Sequence, residues 1–139
     1  MKRNLCLLAV ACLLMGSNSA FSDEAEADLK NLQGTWRIVR AERDGKDVKG
    51  ELGYEELAIE GNSSQVRYKG EVRDGRFQID PSKTPKQITV DPHGGGKVFG
   101  IYELNGDTWK TLFSKVGGGH PSSFKDTGLL FEYERVKRK

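Results

Sequence analysis

The sequence is poor in the residues that build metal and thiol chemistry. It contains two cysteines and two histidines in 139 residues, and both cysteines, Cys6 and Cys12, lie before residue 23. The remainder of the chain therefore has neither a disulfide framework nor a catalytic thiol. His93 and His120 show no H-x-x-H spacing, so the sequence predicts neither a histidine-rich metal site nor a bound cofactor.

Long hydrophobic runs are also scarce. The main one, Leu5–Met15, follows a basic start and precedes a small, mostly polar stretch that ends at Ser22. This three-part pattern is typical of a secretory signal peptide cleaved after Ala20 or Ser22, and the apolar run is too short to cross a bilayer as a helix. We expect residues 1–22 to be a signal peptide, residues 23–139 to be one domain, and the product to be periplasmic or secreted.

Cys12 offers a second interpretation of this segment. The stretch from Leu8 to Cys12 resembles a bacterial lipobox, whose cysteine is acylated. The apolar run continues beyond Cys12 to Met15, which favours an ordinary signal peptide. Lipid anchoring through Cys12 is the minor alternative.

The predicted mature segment has no charge excess of either sign. Lys2 and Arg3 are the basic residues of the signal segment and no acidic residue precedes Asp23, so 20 of the 22 Lys+Arg face 20 Asp+Glu in the mature segment. This balance gives no electrostatic reason to expect a nucleic-acid partner. We expect no transmembrane span and a monomer.

Short runs rich in β-branched and aromatic residues alternate with turn residues from Gly34 onward. The turn dipeptides are Asp44-Gly45, Gly61-Asn62, Asp74-Gly75 and Asn105-Gly106. The eight runs are Thr35–Glu42, Glu56–Glu60, Gln65–Lys69, Arg76–Asp80, Gln87–Asp91, Val98–Leu104, Thr108–Ser114 and Leu129–Val136. This pattern predicts an all-β fold, an eight-stranded antiparallel up-and-down barrel, after a short helical lead-in at Asp28–Gln33.

Alternation within the runs predicts a mostly apolar barrel interior. In such a barrel, Trp36 is expected to plug one end, directly after a turn at Gly34. Arg135 stands near the end of the last strand, which neighbours the first in a closed barrel, and its guanidinium is predicted to lie over the indole.

These residues and four further segments carry a family resemblance. Gly34, Trp36 and Arg135 resemble the G-x-W motif and closing arginine of the lipocalin and fatty-acid-binding superfamily. Together with "DGK" at 44–46, "DPSKTPKQI" at 80–88, "GIYELNGDT" at 100–108 and a late Pro-x-x-Phe at 121–124, they resemble the planctomycete lipocalin-like family of exported bacterial domains, whose function is uncharacterised. The resemblance covers Leu29–Val136 and implies a lipocalin-like (calycin) barrel. His120, where the family usually has arginine, and Trp109, where leucine is commoner, depart from its pattern.

The longest connection, Lys115–Gly128, is a candidate lid. Loops of this length are usually functional or mobile, and Phe124 is expected to tuck into the open end of the barrel. The alternative is that Phe124 anchors the loop on the core. Tyr54, in the connection before the second run, is expected to face this loop across the mouth.

The interior composition suits an apolar ligand with one polar end, and it suits a filled core equally well. The sequence shows no arrangement of a nucleophile with its base, so we expect no enzymatic activity. The first hypothesis is binding of a small apolar or amphipathic molecule, and the alternative is a filled barrel that acts as an envelope protein-interaction or inhibitor module. The candidate ligand-binding residues are Tyr68, Phe77, Tyr102, Trp109, Thr111, Phe124, Phe131 and Tyr133.

Overall fold

The computed structural model describes residues 23–92, 96–115 and 117–137. The predicted signal peptide, including Cys6 and Cys12, lies outside the described residues, as does His93. The helices are α1 (Asp23–Leu32) and the single turn α2 (Lys49–Leu52). The strands are β1 (Gly34–Arg43), β2 (Lys46–Asp47), β3 (Tyr54–Glu60), β4 (Ser63–Tyr68), β5 (Glu71–Asp80), β6 (Gln87–Pro92), β7 (Val98–Asn105), β8 (Thr108–Phe113) and β9 (Leu129–Arg135).

The sheet closes on itself. β1 pairs antiparallel with β3 on one side and with β9 on the other, so β1 and the strands β3 to β9 form a ring of eight. Each strand of the ring pairs with its neighbour in sequence, which is the up-and-down order. β2 is a two-residue extension that pairs only with the end of β1. The predicted all-β, eight-stranded barrel with an N-terminal helix is confirmed.

The turn predicted at Asp74-Gly75 is wrong. β5 runs through this dipeptide, and Gly75 pairs with Ser64 within the β4–β5 ladder. The β4–β5 hairpin turns instead at Lys69 and Gly70, whose φ angles are 49° and 84°. Two consecutive residues in the left-handed conformation match the twist of a hairpin. The turn at Lys69-Gly70 therefore sets the β4–β5 register, and it lies earlier in the chain than the Asp-Gly signal suggested.

The interior is the continuous apolar core that alternation predicts. Trp36, Ile38, Ile59, Phe77 and Ile88 are buried there, and the expected inward residues of β7 to β9 join them. Side chains at alternate positions point outward, as an antiparallel barrel requires. The mostly apolar barrel interior predicted from alternation is therefore confirmed.

Candidate ligand-binding site

One end of the barrel is sealed by α1 and the residue predicted to plug it. Trp36 is fully buried, with 0% of its surface exposed. Its indole Nε1–H donates to the Leu32 carbonyl at 2.8 Å, which ties the first strand to the last turn of the helix. The guanidinium of Arg135 lies 4.4 Å from the centre of the indole ring. The predicted cation–π contact is confirmed.

Arg135 also holds the end of α1. Its guanidinium donates to the carbonyl oxygens of Gln33, at 2.8 Å, and Asn31, and to the Asp107 carboxylate at 2.9 Å. Carbonyls at a helix C-terminus lack partners within the helix, and a cation is the favourable group there. Arg135 therefore acts as a clamp between the helix, the plug and the β7–β8 turn.

A second polar contact fastens α1 across the same end. The buried Asp28 carboxylate accepts the Tyr102 hydroxyl at 2.7 Å and the Lys86 ammonium at 3.0 Å. Burial and the hydrogen bond to Asp28 raise the pKa of Tyr102 far above its ordinary value. Burial alone would lower the pKa of Lys86, but its hydrogen bond to Asp28 and the charge of that carboxylate raise it. Tyr102 was predicted to contact ligand, and its hydroxyl instead belongs to this seal.

A pocket of about 200 Å³ lies in the barrel interior beside this sealed end. Apart from Ser64, its lining is apolar or aromatic. The lining residues belong to every strand of the ring except β7. They are Ile38, Tyr54, Leu57, Ile59, Ser64, Val66, Phe77, Ile88, Val90, Trp109, Phe113, Leu129, Phe131 and Tyr133. Since Tyr54, Phe113 and Leu129 stand at the ends of their strands away from α1, the pocket extends toward the opposite end, here called the mouth.

Small side chains on one side of the barrel leave the room for this pocket. Ser64 on β4 faces Gly75 on β5, and a Cβ at Gly75 would meet the Ser64 Oγ at an ordinary 3.4 Å. Gly100 on β7 differs, because a Cβ there would lie 2.7 Å from both the Leu112 carbonyl oxygen and a ring carbon of Phe113. The interior is therefore packed tight at β7–β8 and open at β4–β5.

The pocket lining contains a polar group without a partner. The Trp109 side chain is 4% exposed, and its Nε1–H has no hydrogen-bond partner in the part of the chain that the structure describes. Its ring stacks on Tyr133 at 4.4 Å and meets Trp36 edge-on at 5.5 Å. A buried indole N–H usually finds an acceptor, and leaving it unpaired costs about 1 to 3 kcal/mol. A residue of the pocket wall thus carries a hydrogen-bond donor that no described group uses.

Two buried interior hydroxyls, those of Thr111 and Tyr133, satisfy each other. Thr111 Oγ1 and the Tyr133 hydroxyl share a hydrogen bond of 3.0 Å. Burial raises the pKa of Tyr133 well above its ordinary value, and the bond with Thr111 offsets part of that rise. The tyrosine is therefore neutral at physiological pH. Thr111 supports Tyr133 from behind the pocket wall rather than lining the pocket.

The structure thus separates the predicted binding residues into two groups. Phe77, Trp109, Phe131 and Tyr133 line the pocket. Tyr68 stands just outside the lining at the mouth, where its ring centre is 5.0 Å from that of Tyr54. The remaining three do not line the pocket: Tyr102 bonds Asp28, Thr111 bonds Tyr133, and Phe124 lies near Lys110. Ser64 was not predicted, although its spacing from Val66 places it on the same strand face.

Phe124 does not enter the pocket, so the predicted lid is wrong. The Lys110 ammonium lies 4.5 Å from the centre of the Phe124 ring. Lys110 is on the outward side of β8, because it lies between the buried, inward-facing Trp109 and Thr111. Ile101 and Leu112 are buried on this same outward side, and Pro121 is buried in the loop. The loop covers the outer face of β7–β8 because those strands are apolar on both faces.

His120 anchors the same loop. Its Nδ1 lies 2.8 Å from the Gly100 carbonyl oxygen, so Nδ1–H donates, and its ring meets Phe99 edge-on at 5.1 Å. The hydroxyls of Ser122 and Ser123 bond Asp126 at 3.1 and 3.4 Å. These hydrogen bonds hold the turn together and do not pair either serine with the histidine.

No protein-family model, curated protein or solved structure matches this chain. Within residues 23–92, 96–115 and 117–137, no three His, Cys, Asp or Glu side chains are grouped so that they could hold a metal ion. The same residues include no helix with the length and apolar character needed to cross a membrane.

Proposed function

We propose that the chain is a binding protein that holds a small apolar or amphipathic molecule inside the barrel. The observation that carries this proposal is an apolar pocket lined by Trp109, whose buried Nε1–H has no partner among the described residues. The ligand supplies a hydrogen-bond acceptor to that N–H and buries its apolar part against Leu57, Val66 and Phe77. Few polar groups in an apolar cavity are the usual composition of a small-molecule site.

The pocket volume limits the size of the ligand. Pockets for drug-sized molecules span roughly 300 to 1,000 Å³, whereas a cavity of about 150 Å³ holds a benzene-sized molecule. At about 200 Å³, the pocket accommodates one ring or a short alkyl chain, and any larger part of the ligand extends through the mouth.

The expected affinity is modest. Burying about 150 Å² of ligand surface contributes roughly 4 kcal/mol. Satisfying the indole N–H adds about 1 kcal/mol. Part of this gain is offset by the translational and rotational freedom lost on binding, so a minimal ligand is expected to bind weakly. A natural ligand that also contacts the mouth binds more tightly.

The alternative function, a filled barrel that acts through its outer surface, requires an interior without room for a ligand. The Ser64 and Gly75 pair argues against that interior, because both side chains are too small to fill the space between β4 and β5. A protein-interaction or inhibitor role is therefore the second candidate.

We further propose that the domain is exported, monomeric and related to the lipocalin-like family. The contact between Trp36 and Arg135 supports the family proposal, since those residues carry the resemblance. The signal pattern of residues 1–22 supports export. Mass spectrometry of the natural N-terminus tests it: a chain starting at Phe21 or Asp23 is expected, a diacylglyceryl group on Cys12 would instead show the lipid anchor, and an uncleaved chain would contradict export.

Two single-tryptophan variants test the proposed pocket. The chain has two tryptophans, so Trp36→Phe leaves Trp109 as the only reporter and Trp109→Phe leaves Trp36. Titration with 1-octanol and with phenol is expected to change Trp109 emission saturably, because Trp109 lines the pocket. Trp36 emission serves as the matched control and should respond little, since its N–H is already bonded to Leu32.

Trp109→Phe also separates binding from folding. It keeps an aromatic ring against Tyr133 but removes the donor, so octanol affinity measured by calorimetry should fall about threefold to tenfold. If the wild-type chain binds none of a series of alcohols, phenols and alkanes, that result would contradict the proposed function and favour the filled barrel.

A further inference from the structure

The mouth of the pocket carries a cationic group, Arg73, that forms no ion pair with the residues the structure describes. Arg73 on β5 pairs with Val66 on β4, and Val66 lines the pocket, so Arg73 stands on the interior face of the barrel. It is exposed, and it lies beyond Val66 toward the β4–β5 turn. An arginine at an interior position of a barrel strand is unusual unless it meets a partner.

An aromatic ring holds this arginine in place. The Arg73 guanidinium lies 4.4 Å from the centre of the Tyr68 ring, and the Lys69 ammonium lies 5.3 Å from the same ring. Tyr68 in turn packs against Tyr54 of the pocket lining. Stacking on a ring leaves the edge of a guanidinium, with its N–H donors, directed away from the ring and free to bind an anion.

Arg73 has no carboxylate partner among the described residues, unlike Arg135 and Arg40. Arg135 binds Asp107, and Arg40 binds both Glu42 and Glu132 at 2.7 Å. In residues 23–92, 96–115 and 117–137, neither Arg73 nor Lys69 forms an ion pair. Glu71 shares the interior face of β5 with Arg73, and it too forms no ion pair there. The mouth therefore offers two unpaired cations beside one exposed carboxylate.

We propose that the ligand of the pocket is an anionic amphiphile whose headgroup binds Arg73 at the mouth. This inference rests on the proposed function, because the apolar part of the same molecule occupies the pocket. The headgroup is a carboxylate or a phosphate, both of which match the paired donors of a guanidinium. Lys69 adds a second positive charge, and an oxygen along the inner part of the ligand meets Trp109 Nε1–H.

The test compares ligands that share a chain and differ in headgroup charge. Octanoate, octyl phosphate, 1-octanol and octylammonium are titrated into the full-length mature domain by calorimetry, below their micelle concentrations. Octanoate or octyl phosphate is expected to bind about fivefold more tightly than 1-octanol, and octylammonium more weakly than 1-octanol. The preferred anion identifies the headgroup. Because the site is exposed, the advantage of the anion should shrink as salt is added.

Arg73→Gln is the decisive variant, and Arg76→Gln is its matched control. Arg76 is an exposed arginine of the same strand on the outer face, so both changes remove one positive charge. Arg73→Gln should abolish the preference for anions and leave 1-octanol affinity unchanged, whereas Arg76→Gln should keep the preference.

Three results would overturn proposals at different levels. Equal affinities for all four headgroups, unchanged in Arg73→Gln, would overturn the anionic headgroup and leave the pocket standing. No binding of any of the four ligands would overturn the pocket itself and the headgroup with it. An equal loss of preference in Arg76→Gln would assign the effect to net charge and contradict a site at Arg73.

Discussion

The two ends of the barrel treat their polar groups in opposite ways. At the α1 end, the named polar side chains have partners: Trp36 Nε1 bonds Leu32, Arg135 bonds three groups, and Tyr102 and Lys86 share Asp28. In the pocket wall, the Trp109 Nε1–H is unpaired among the described residues, and at the mouth Arg73 lies on an aromatic ring without a carboxylate. Satisfied groups stabilise a fold, and unsatisfied groups beside a cavity mark where a ligand completes it.

On the proposed function, this contrast assigns stability to the α1 end and ligand binding to the pocket and mouth. Changes at the α1 end should lower the free energy of unfolding, because each removes contacts between the helix and the ring. Changes at the mouth should leave folding nearly intact. Matched pairs of substitutions, one at each end, therefore test the assignment.

The largest effect is expected for Trp36→Ala. Removing a fully buried indole leaves a cavity and frees the Leu32 carbonyl, which should lower the free energy of unfolding by about 4 kcal/mol. Tyr68→Ala removes a half-buried ring at the mouth and should cost about 1 kcal/mol. Urea unfolding followed by circular dichroism measures both. Equal losses would remove the distinction between a structural end and a binding end.

The two arginines provide the second pair. Arg135→Ala is expected to lower the free energy of unfolding by about 3 kcal/mol, since it removes a cation–π contact and leaves carbonyls of the last helical turn unpaired. Arg73→Ala should change it by less than about 0.5 kcal/mol. Thermal unfolding monitors each variant. A loss at Arg73 as large as that at Arg135 would mean that the mouth is structural as well.

Two interior glycines compare the filled and open sides of the ring. Gly100→Ala should cost about 2 kcal/mol, because its Cβ would collide with the Leu112 carbonyl and the Phe113 ring. Gly75→Ala should be neutral or stabilising by about 0.5 kcal/mol, since its Cβ meets only ordinary contacts and alanine suits a strand better than glycine. The same alanine narrows the pocket and should weaken ligand binding in calorimetry. A similar cost at both glycines would contradict an open β4–β5 side.

The smallest effect concerns alkaline pH. Folding raises the pKa of Tyr102 and of Lys86 above their unfolded values of 10.0 and 10.5, so the stability linked to each is fully present below those values and is lost as pH rises through the folded pKa. The free energy of unfolding should be flat from pH 7 to 9 and fall by about 1 kcal/mol by pH 11. Tyr102→Phe should show a shallower fall. An identical pH profile in that variant would assign the loss to other groups.

Local patterns in the sequence predict the barrel because alternation and turn chemistry are local properties. Each strand face, the buried Trp36 and its contact with Arg135 follow from those patterns. The hairpin turn at Lys69-Gly70 does not, since lysine is not a typical turn residue and Asp74-Gly75 offered a stronger dipeptide signal. Asp28 and Tyr102 meet only through tertiary packing, which spacing along the chain does not reveal.

The site was only partly predictable for a related reason. Alternation identifies which side chains face inward, but it does not say whether they fill the space between them. The room comes from the pairing of Ser64 with Gly75, which depends on a register that the misplaced turn concealed. The loop around Phe124 could have covered either the mouth or the outer face of β7–β8. Ile101 and Leu112 alternate with inward residues, and these apolar side chains were the sequence signal for a covered outer face.

The two indole N–H resonances of the ¹⁵N-labelled domain test the central claim. That claim is that the Trp109 Nε1–H, unpaired among the described residues, donates to a ligand bound in the pocket. Trp36→Phe and Trp109→Phe assign the two signals in a ¹H–¹⁵N correlation spectrum. Saturating 1-octanol is expected to shift the Trp109 Nε1–H downfield, as the hydroxyl oxygen reaches it, and to leave the Trp36 signal in place. A Trp109 resonance that stays unmoved by saturating 1-octanol, while only surface amides shift, would contradict a binding site inside the barrel.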